Sequence, residues 1–279
     1  MARLGLAADS IIGARQAECG FDNWVRDDGL WGYGPDGYYD ENRSPYNEYL
    51  KSKGYDGENP WSDYANAGIS DDKIASGWMF RNADTPANIR EQDSETPWLT
   101  GQAIDFIDQA EGPWMAHVSF IKPHWPYIVP APYHNMFGPK DVPAAQRHEV
   151  EREDPHPVYG AYMGNKVASA FQRKDVRDKV IPAYMGLIKQ CDDQLGRLLD
   201  HLEATDWMQD TLIVLTSDHG DYLGDHWLGE KDLFHEASVK VPLTVYDPRP
   251  EAGVTRGMTC DALVESIDLA ATFAEVAGG

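Results

Sequence analysis

A carboxylate and an imidazole stand side by side directly after a short apolar run late in the chain. Asp218 and His219 follow the run from Leu212 to Leu215, and Gly220 lets the backbone turn sharply behind them. Ligands of parallel α/β sheets collect at the carboxyl ends of strands. A carboxylate oxygen beside an imidazole nitrogen suits Ca, Mg, Mn or Zn. The pair therefore predicts part of a metal site, whose remaining ligands must come from elsewhere.

A purely structural role is the alternative, in which Asp218 caps a turn and His219 is a hydrogen-bonded core residue. The surroundings favour chemistry, because charged and imidazole side chains crowd the same stretch and glycines interrupt it. These side chains are Asp221, Asp225, His226, Lys231, His235 and Glu236. Lys231 could neutralise an anionic substrate as a point charge, although its local sequence alone favours a surface lysine.

A second candidate lies in the segment Lys122–Pro126, where Pro123 and Pro126 bracket His124. The prolines restrict the backbone, so the imidazole is held in place just after a predicted strand. Such a histidine could donate a hydrogen bond to a leaving group or to a tetrahedral anion. The alternative is a histidine that only stabilises its loop.

Strands and helices must position these residues. Apolar runs predict strands over residues 114–121, 211–217 and 241–247, and three- and four-residue spacing predicts helices over residues 96–110, 181–202 and 266–279. Thr96 is the expected N-cap of the first helix, with Pro97 at its first position. Alternation of strands and helices predicts an α/β fold with a mostly parallel sheet sandwiched by helices. Residues 1–95 are predicted as a loop-rich, aromatic-rich segment packing on an α/β domain of residues 96–279.

Composition excludes several classes of function. The 279 residues carry 24 Lys+Arg and 46 Asp+Glu, a net charge of −22, which argues against nucleic acid and anionic membranes as partners. No apolar stretch approaches the roughly 20 residues of a membrane helix. Three scattered cysteines suggest neither a disulfide framework nor a cysteine-rich zinc site. A reducing, cytoplasmic location is therefore expected.

The motifs resemble those of the sulfatase family within the alkaline phosphatase superfamily, which includes arylsulfatases and phosphonate monoester hydrolases. TSDHGDYLGDHWLGEKDLFHEASVKVPL resembles the family's metal and substrate motif, and VSFIKPHWPY resembles its Pro-His-x-Pro loop. The helices YMGLIKQCDDQLGRLLDHLEA and SIDLAATFAEVAG also resemble family elements. This resemblance covers residues 96–279 and implies an alkaline phosphatase-like α/β fold.

The resemblance also implies roles for individual residues. Asp218 and His219 correspond to ligands of one divalent metal ion, Ca, Mn or Mg, with Zn kept open by the imidazole. Lys231 corresponds to the lysine that binds sulfuryl or phosphoryl oxygens, and His124 to the histidine near the leaving group. Asp225 and His226 are expected to orient the metal ligands from behind.

Two family elements are missing from the sequence. The family's first strand carries an acidic metal-ligand pair, and a Cys-x-Pro-x-Arg motif supplies the formylglycine nucleophile. Cys19, Cys191 and Cys260 lack the downstream Pro and Arg of that motif. The resemblance therefore implies a chain shortened at its N-terminus, inactive by itself, with the formylglycine in the missing part and a signal peptide left open.

The expected function is that of a metal-dependent esterase acting on a small anionic substrate. It cleaves either sulfate monoesters or phosphonate monoesters and phosphate diesters, and the sequence does not separate the two. The alternative is a non-catalytic domain that keeps the fold without the nucleophile, and a phosphoglycerate-mutase-like or nucleotide pyrophosphatase member is a weaker third hypothesis. Homo-oligomerisation is left open.

Overall fold

The computed structural model describes residues 21–27, 29–31, 34–35 and 44–278. These residues divide into two units. Unit 1 comprises the described residues up to Pro143 together with Lys174–His201. Unit 2 comprises Ala144–Arg173 and the described residues from Leu202 onward. Part of the predicted N-terminal segment, including Cys19, lies outside the described residues.

The helices and strands are short apart from two. The α-helices are α1 (Pro45–Ser52), α2 (Glu95–Gln109), α3 (Pro157–Met163), α4 (Lys166–Phe171), α5 (Lys174–Ala204), α6 (Glu236–Val239) and α7 (Ser266–Val276). The strands are β1 (Leu30–Trp31), β2 (Gly34–Pro35), β3 (Ala67–Ser70), β4 (Lys73–Ser76), β5 (Ile213–Thr216) and β6 (Leu243–Tyr246). A π-helical turn spans Trp61–Ala65, and short 3₁₀ turns include Glu91–Asp93, Glu149–Arg152 and Asp225–Trp227. No helix in the described ranges is long and apolar enough to cross a membrane.

An aromatic core holds unit 1 together. Helix α1 begins where the Ser44 hydroxyl accepts the Asn47 N–H, with Pro45 in the first turn. Its inner face buries Tyr46 and Leu50 completely. The other buried members of this core are Trp61, Ala87, Ile89, Trp98 and Ile128. The Trp- and Tyr-rich sequence before residue 95 therefore supplies much of the unit's buried apolar surface.

The predicted helices are present, with different starting points for two of them. Helix α2 begins at Glu95, and its N-cap is Ser94, two residues before the predicted N-cap Thr96. Thr96 is instead buried in the first turn of the helix. Helix α5 begins at Lys174, seven residues earlier than the periodicity indicates, and Pro182 lies inside it. Helix α7 confirms the predicted terminal helix, and its described residues are not buried.

The predicted mostly parallel sheet is not seen in the described residues. Each sheet there has two antiparallel strands, and β5 pairs with β6 so that Ile213 faces Tyr246 and Thr216 faces Leu243. The one parallel pairing among them is an isolated bridge between Pro86 and Val129. The apolar run of β5 resembles a strand covered on both faces, yet its Leu215 is 41% exposed. Residues 114–121, also predicted as a strand, form no ladder with any described segment.

A smaller core organises unit 2. Met163, at the end of α3, packs with three residues of the segment between β5 and α6, namely Tyr222, Trp227 and Leu228. Ala237 of α6 packs against this core. This core lies beneath the loop that follows β5, so the loop with most of the candidate residues is anchored by its own aromatic side chains.

Candidate functional site

Asp218 and His219 leave the end of β5 with their side chains close together. Asp218 Oδ1 accepts the backbone N–H of His219 at 2.9 Å, and Asp218 Oδ2 lies 3.5 Å from His219 Nε2. His219 Nδ1 lies 2.8 Å from the Gly220 carbonyl oxygen. Since that carbonyl can only accept, Nδ1 carries the proton and Nε2 of the neutral ring keeps its lone pair. The Asp218 side chain is 84% exposed, whereas that of His219 is 31% exposed.

This pair fits part of a metal site. A carboxylate oxygen and the unprotonated nitrogen of a neutral imidazole are ligands for a divalent cation, and a backbone carbonyl that holds the other ring nitrogen is a common supporting contact. The described residues contain no group of three or more His, Cys, Asp or Glu side chains arranged to hold a metal ion. The pair therefore offers two of the ligands that a divalent ion would need, and a complete shell would require others.

Gly220 fixes the turn behind the pair. Its N–H donates to the Ser238 carbonyl oxygen at 2.7 Å, which ties the turn to α6. A Cβ atom at this position would lie 2.1 Å from the Ala237 carbonyl oxygen. The close approach of two backbone segments, rather than an unusual dihedral angle, therefore requires glycine here.

The loop after Gly220 is tightly wound. Tyr222 N–H donates to the Glu230 carbonyl at 2.8 Å, and Gly224 N–H donates to the Leu228 carbonyl at 2.9 Å. Several of its side-chain-bearing residues have positive φ, which is uncommon outside glycine. They are Leu223, His226, Trp227, Glu230 and Asp232. Lys231, which is partly buried, belongs to the same loop as Asp218 and His219.

Asp225 and His226 contact the segment before α3. Asp225 Oδ1 accepts the Gln146 N–H at 2.8 Å, and His226 N–H donates to the Gln146 carbonyl at 2.9 Å. His226 Nδ1 lies 2.7 Å from Glu151 Oε1. These residues therefore fasten the loop to residues 146–151, and their expected role behind the metal ligands stays a prediction. Glu151 was not anticipated, because 75 residues separate it from His226 and no local pattern joins them.

Trp227 strengthens the same junction. Its indole N–H donates to the His148 carbonyl at 2.8 Å. The guanidinium carbons of Arg147 and Arg152 lie 4.3 and 4.7 Å from the Trp227 ring centre. Such cation–π contacts add roughly 0.5–2 kcal/mol each. Arg147 and Arg152 therefore both contact the Trp227 ring, which anchors the loop.

A second imidazole stacks on His226. The rings of His226 and His235 lie 4.1 Å apart at 18°, and His235 Nδ1 lies 2.9 Å from the Tyr222 hydroxyl. Burial, together with the neighbouring His226, lowers the pKa of His235. Although burial opposes it, hydrogen bonds from the His148 N–H and from His226 lower the pKa of Glu151. The cluster is therefore built around a neutral His235 and an ionised Glu151.

His124 lies in unit 1, in the loop after residues 114–121. Its Nδ1 lies 2.8 Å from the Trp125 carbonyl oxygen, so this nitrogen carries the proton in the neutral ring. The imidazole stacks on the Trp125 ring at 5.8 Å and 22°. Residues Tyr127 to Val129, which follow, are completely buried and anchor the loop in the unit 1 core.

The candidate residues are thus distributed over both units. Unit 2 holds Asp218, His219, Asp225, His226 and Lys231 within one loop, and Glu236 begins α6 with its carboxylate paired to Lys240. Unit 1 holds His124. The structure brings Asp218 and His219 into contact, and it places Asp225 and His226 together on residues 146–151.

Known proteins resemble this chain over most of its length. A family model described as Sulfatase matches residues 31–279. The chain is 32% identical over 212 residues, 70% of its length, to the multifunctional alkaline phosphatase superfamily protein PehA of Trinickia caryophylli, of which this covers 40%. It is 28% identical over 204 residues, 72% of its length, to an arylsulfatase of Clostridium perfringens strain 13, of which this covers 41%.

A solved structure gives the same relationship. The phosphonate monoester hydrolase SpPMH of Silicibacter pomeroyi superposes with a TM-score of 0.70 at 30% identity, over 84% of this chain and 46% of that one. The similarity is consistent with an α/β fold, and the chain spans less than half the length of the relatives it matches. Because the family model matches far more than half of the residues, this chain belongs to the Sulfatase family.

Proposed function

We propose that the protein containing this chain hydrolyses a small anionic ester, either a sulfate monoester or a phosphonate monoester or phosphate diester. The observation that carries the proposal is the Asp218 carboxylate beside His219 Nε2, at 3.5 Å, in a family-matched loop that also contains Lys231. The names of the relatives include both an arylsulfatase and a phosphonate monoester hydrolase, so both substrate classes are carried into the test.

Asp218 and His219 would hold one divalent ion. The ion, Ca, Mn, Mg or Zn, would supply Lewis-acid stabilisation of charge on the ester oxygens. In the neutral His219 ring, the contact with the Gly220 carbonyl places the proton on Nδ1, so Nε2 is the nitrogen that would coordinate the ion.

Lys231 and His124 would handle the substrate. The Lys231 ammonium binds non-bridging oxygens, on which negative charge gathers during displacement at sulfur or phosphorus. His124 donates a proton or hydrogen bond to the departing alcohol or phenol oxygen. Because Nδ1 is occupied by the Trp125 carbonyl, Nε2 is the atom that serves the leaving group, and it donates when the ring is protonated.

The nucleophile is proposed to be a formylglycine contributed by a part of the protein that this sequence does not contain. Cys191 is a poor substitute, because burial raises the pKa of its thiol to about 11 and keeps it protonated. Its Sγ also lies 3.4 Å from the Lys122 carbonyl oxygen, as a donor.

Metal content tests the first step. Asp218→Ala and His219→Ala should each lose the bound divalent ion, measured by elemental analysis after dialysis against a chelator-free buffer. Asp261→Ala, which removes another exposed carboxylate of unit 2, is the matched control and should retain it. Unchanged stoichiometry in Asp218→Ala would refute the ligand assignment, and the same assay identifies the metal.

Turnover of an aryl sulfate, an aryl phosphonate monoester and an aryl phosphate diester tests the chemistry in the protein that contains this chain. Lys231→Ala should lower kcat/KM by about 10²–10³, the usual cost of losing one group that stabilises transition-state charge. Lys240→Ala, at an exposed lysine on the same unit, should leave it unchanged. Metal binding without turnover of any ester would favour the non-catalytic alternative. The 279-residue chain alone should be inactive.

The remaining expectations stay predictions. A cytoplasmic location and the exclusion of nucleic acid and membrane partners rest on the composition, with its net charge of −22. Homo-oligomerisation can be measured by light scattering.

A further inference from the structure

Lys122 is the first residue of the loop that carries His124, and its ammonium binds backbone carbonyls of that loop. Its ammonium donates to the Pro126 carbonyl oxygen at 3.0 Å and reaches the His124 carbonyl oxygen at 3.5 Å. The Lys122 carbonyl in turn accepts from Cys191 Sγ of α5 at 3.4 Å. One side chain therefore gathers two carbonyls of its own loop, while its backbone is tied to the longest helix.

A small cavity within unit 1, lined by both polar and apolar side chains, includes Lys122 in its wall. Lys122 shares its lining with the first turn of α2 and with α5, through Ser94, Glu95, Thr96 and Gln190. Burial raises the pKa of Glu95, and Lys122 opposes that rise. Burial likewise lowers the pKa of Lys122, and Glu95 opposes that fall. Both groups line the same cavity, and each favours the ionised form of the other against the effect of burial.

The two carbonyls that Lys122 binds bracket a single residue, Trp125. The carbonyl of Trp125 is the one that receives the Nδ1 proton of His124, at 2.8 Å. Because one ammonium holds the His124 and Pro126 carbonyls, the Trp125 backbone between them keeps one orientation. The His124 imidazole, which is hydrogen-bonded to the Trp125 carbonyl, then keeps one orientation as well. The chain of contacts runs from the Lys122 ammonium through the Trp125 backbone to the His124 ring.

We propose that Lys122 is a positioning residue for His124, which sets the direction of the imidazole through the loop backbone with Glu95 as its countercharge. The inference rests on the proposed role of His124 at the leaving group. It goes beyond that role by naming the groups that orient the ring. A positioning residue of this kind changes the rate of proton donation more than the binding of the ester.

The side-chain ¹⁵N signals of His124 measure ring orientation without any turnover. In the wild-type chain they should show one neutral tautomer, with the proton on Nδ1. Lys122→Met should shift them toward a mixture of both tautomers, and Lys122→Arg, which keeps a donor, should preserve most of the wild-type pattern. Lys174→Met, at an exposed lysine that begins α5, is the matched control and should leave the His124 signals unchanged.

The variant Lys122→Met leaves Glu95 without its countercharge and can fail to fold for that reason. The double variant Lys122→Met with Glu95→Gln removes both charges and should fold, as followed by circular dichroism. It should still show the mixed His124 tautomers, whereas Glu95→Gln alone should keep the wild-type pattern. Wild-type His124 signals in the folded double variant would overturn the proposal, because the ring would then be aimed without the ammonium.

Kinetics add a readout that depends on the proposed function. In the active protein, Lys122→Met with Glu95→Gln should lower kcat for an ester with a poor leaving group by about 10- to 100-fold, the range expected when an acid catalyst is misplaced. KM should change less than about two-fold, and an ester with a good leaving group should be spared. Equal losses for good and poor leaving groups would refute positioning of His124. An absence of turnover in the wild type would refute only the proposed function, since the tautomer measurement stands without it.

Discussion

Substitution of Gly220 by alanine should disrupt the turn directly behind Asp218 and His219. The new Cβ would lie 2.1 Å from the Ala237 carbonyl oxygen and 3.1 Å from its carbon, and both are backbone atoms that cannot rotate away. Forcing an extra carbon into a packed site costs about 1–3 kcal/mol. Separating the segments also weakens the Gly220–Ser238 hydrogen bond of 2.7 Å, worth about 1 kcal/mol. We therefore expect the free energy of unfolding of unit 2 to fall by about 2–4 kcal/mol.

Urea denaturation followed by circular dichroism measures this loss, and amide hydrogen exchange locates it. The amides of residues 218–222 and 236–240 should lose protection first. Gly253→Ala is the control in the same unit, because a Cβ there meets nothing within 4 Å. If Gly220→Ala stays within about 0.5 kcal/mol of the wild type, as ordinary surface substitutions do, the turn does not depend on the close approach to α6.

Three further outcomes follow from the described contacts. Acidification through pH 6.5 should destabilise unit 2, because the pKa of His235 lies below its ordinary 6.5, so the stability of its neutral form is present above that value and is lost as the pH falls; a flat profile of unfolding free energy against pH would contradict this. Glu151→Gln should cost about 1–3 kcal/mol, because it weakens the 2.7 Å contact with His226, and unchanged exchange of the loop amides would argue against that contact. Gly196→Ala within α5 should raise stability by about 0.5–1 kcal/mol, since no atom lies within 4 Å of the new carbon, and a lower melting temperature would refute it.

Local patterns in the sequence predict the helices well and their beginnings less well. The apolar spacing locates α2, α5 and α7, because a helix must bury one face or present it regularly. Thr96 and Ser94 are both suitable N-caps by residue type, and the helix begins after Ser94. The hydroxyl of Ser94 donates to the Glu91 carbonyl at 2.7 Å, which joins α2 to the preceding 3₁₀ turn. Helix propensities do not predict that Ser94 rather than Thr96 is the N-cap, because the outcome depends on the 3₁₀ turn before the helix.

Pairing between distant segments is where sequence reasoning fails. The run that forms β5 predicts a strand correctly, but its direction relative to β6 depends on a connection that winds through the whole Asp218–His235 loop. The contact between Asp218 and His219 is local, and adjacency in the sequence predicts it. The contact of His226 with Glu151 joins residues 75 positions apart, and neither residue type nor spacing predicts it. Contacts between sequence neighbours are therefore predictable, and contacts with distant residues are not.

The positive φ angles of the Asp218–His235 loop have a consequence for protein chemistry. Leu223, His226, Trp227, Glu230 and Asp232 occupy a backbone region that costs an L-amino acid roughly 1 kcal/mol or more and that its mirror image prefers. A semisynthetic loop with D-aspartate at residue 232, where φ is +98°, would therefore fit its native backbone with less strain than the natural residue. Such a loop would also resist proteases that recognise L-residues in extended form. A spectroscopic label could therefore be introduced into this segment by chemical ligation, on a D-amino acid whose backbone preference matches the positive φ of the position it replaces.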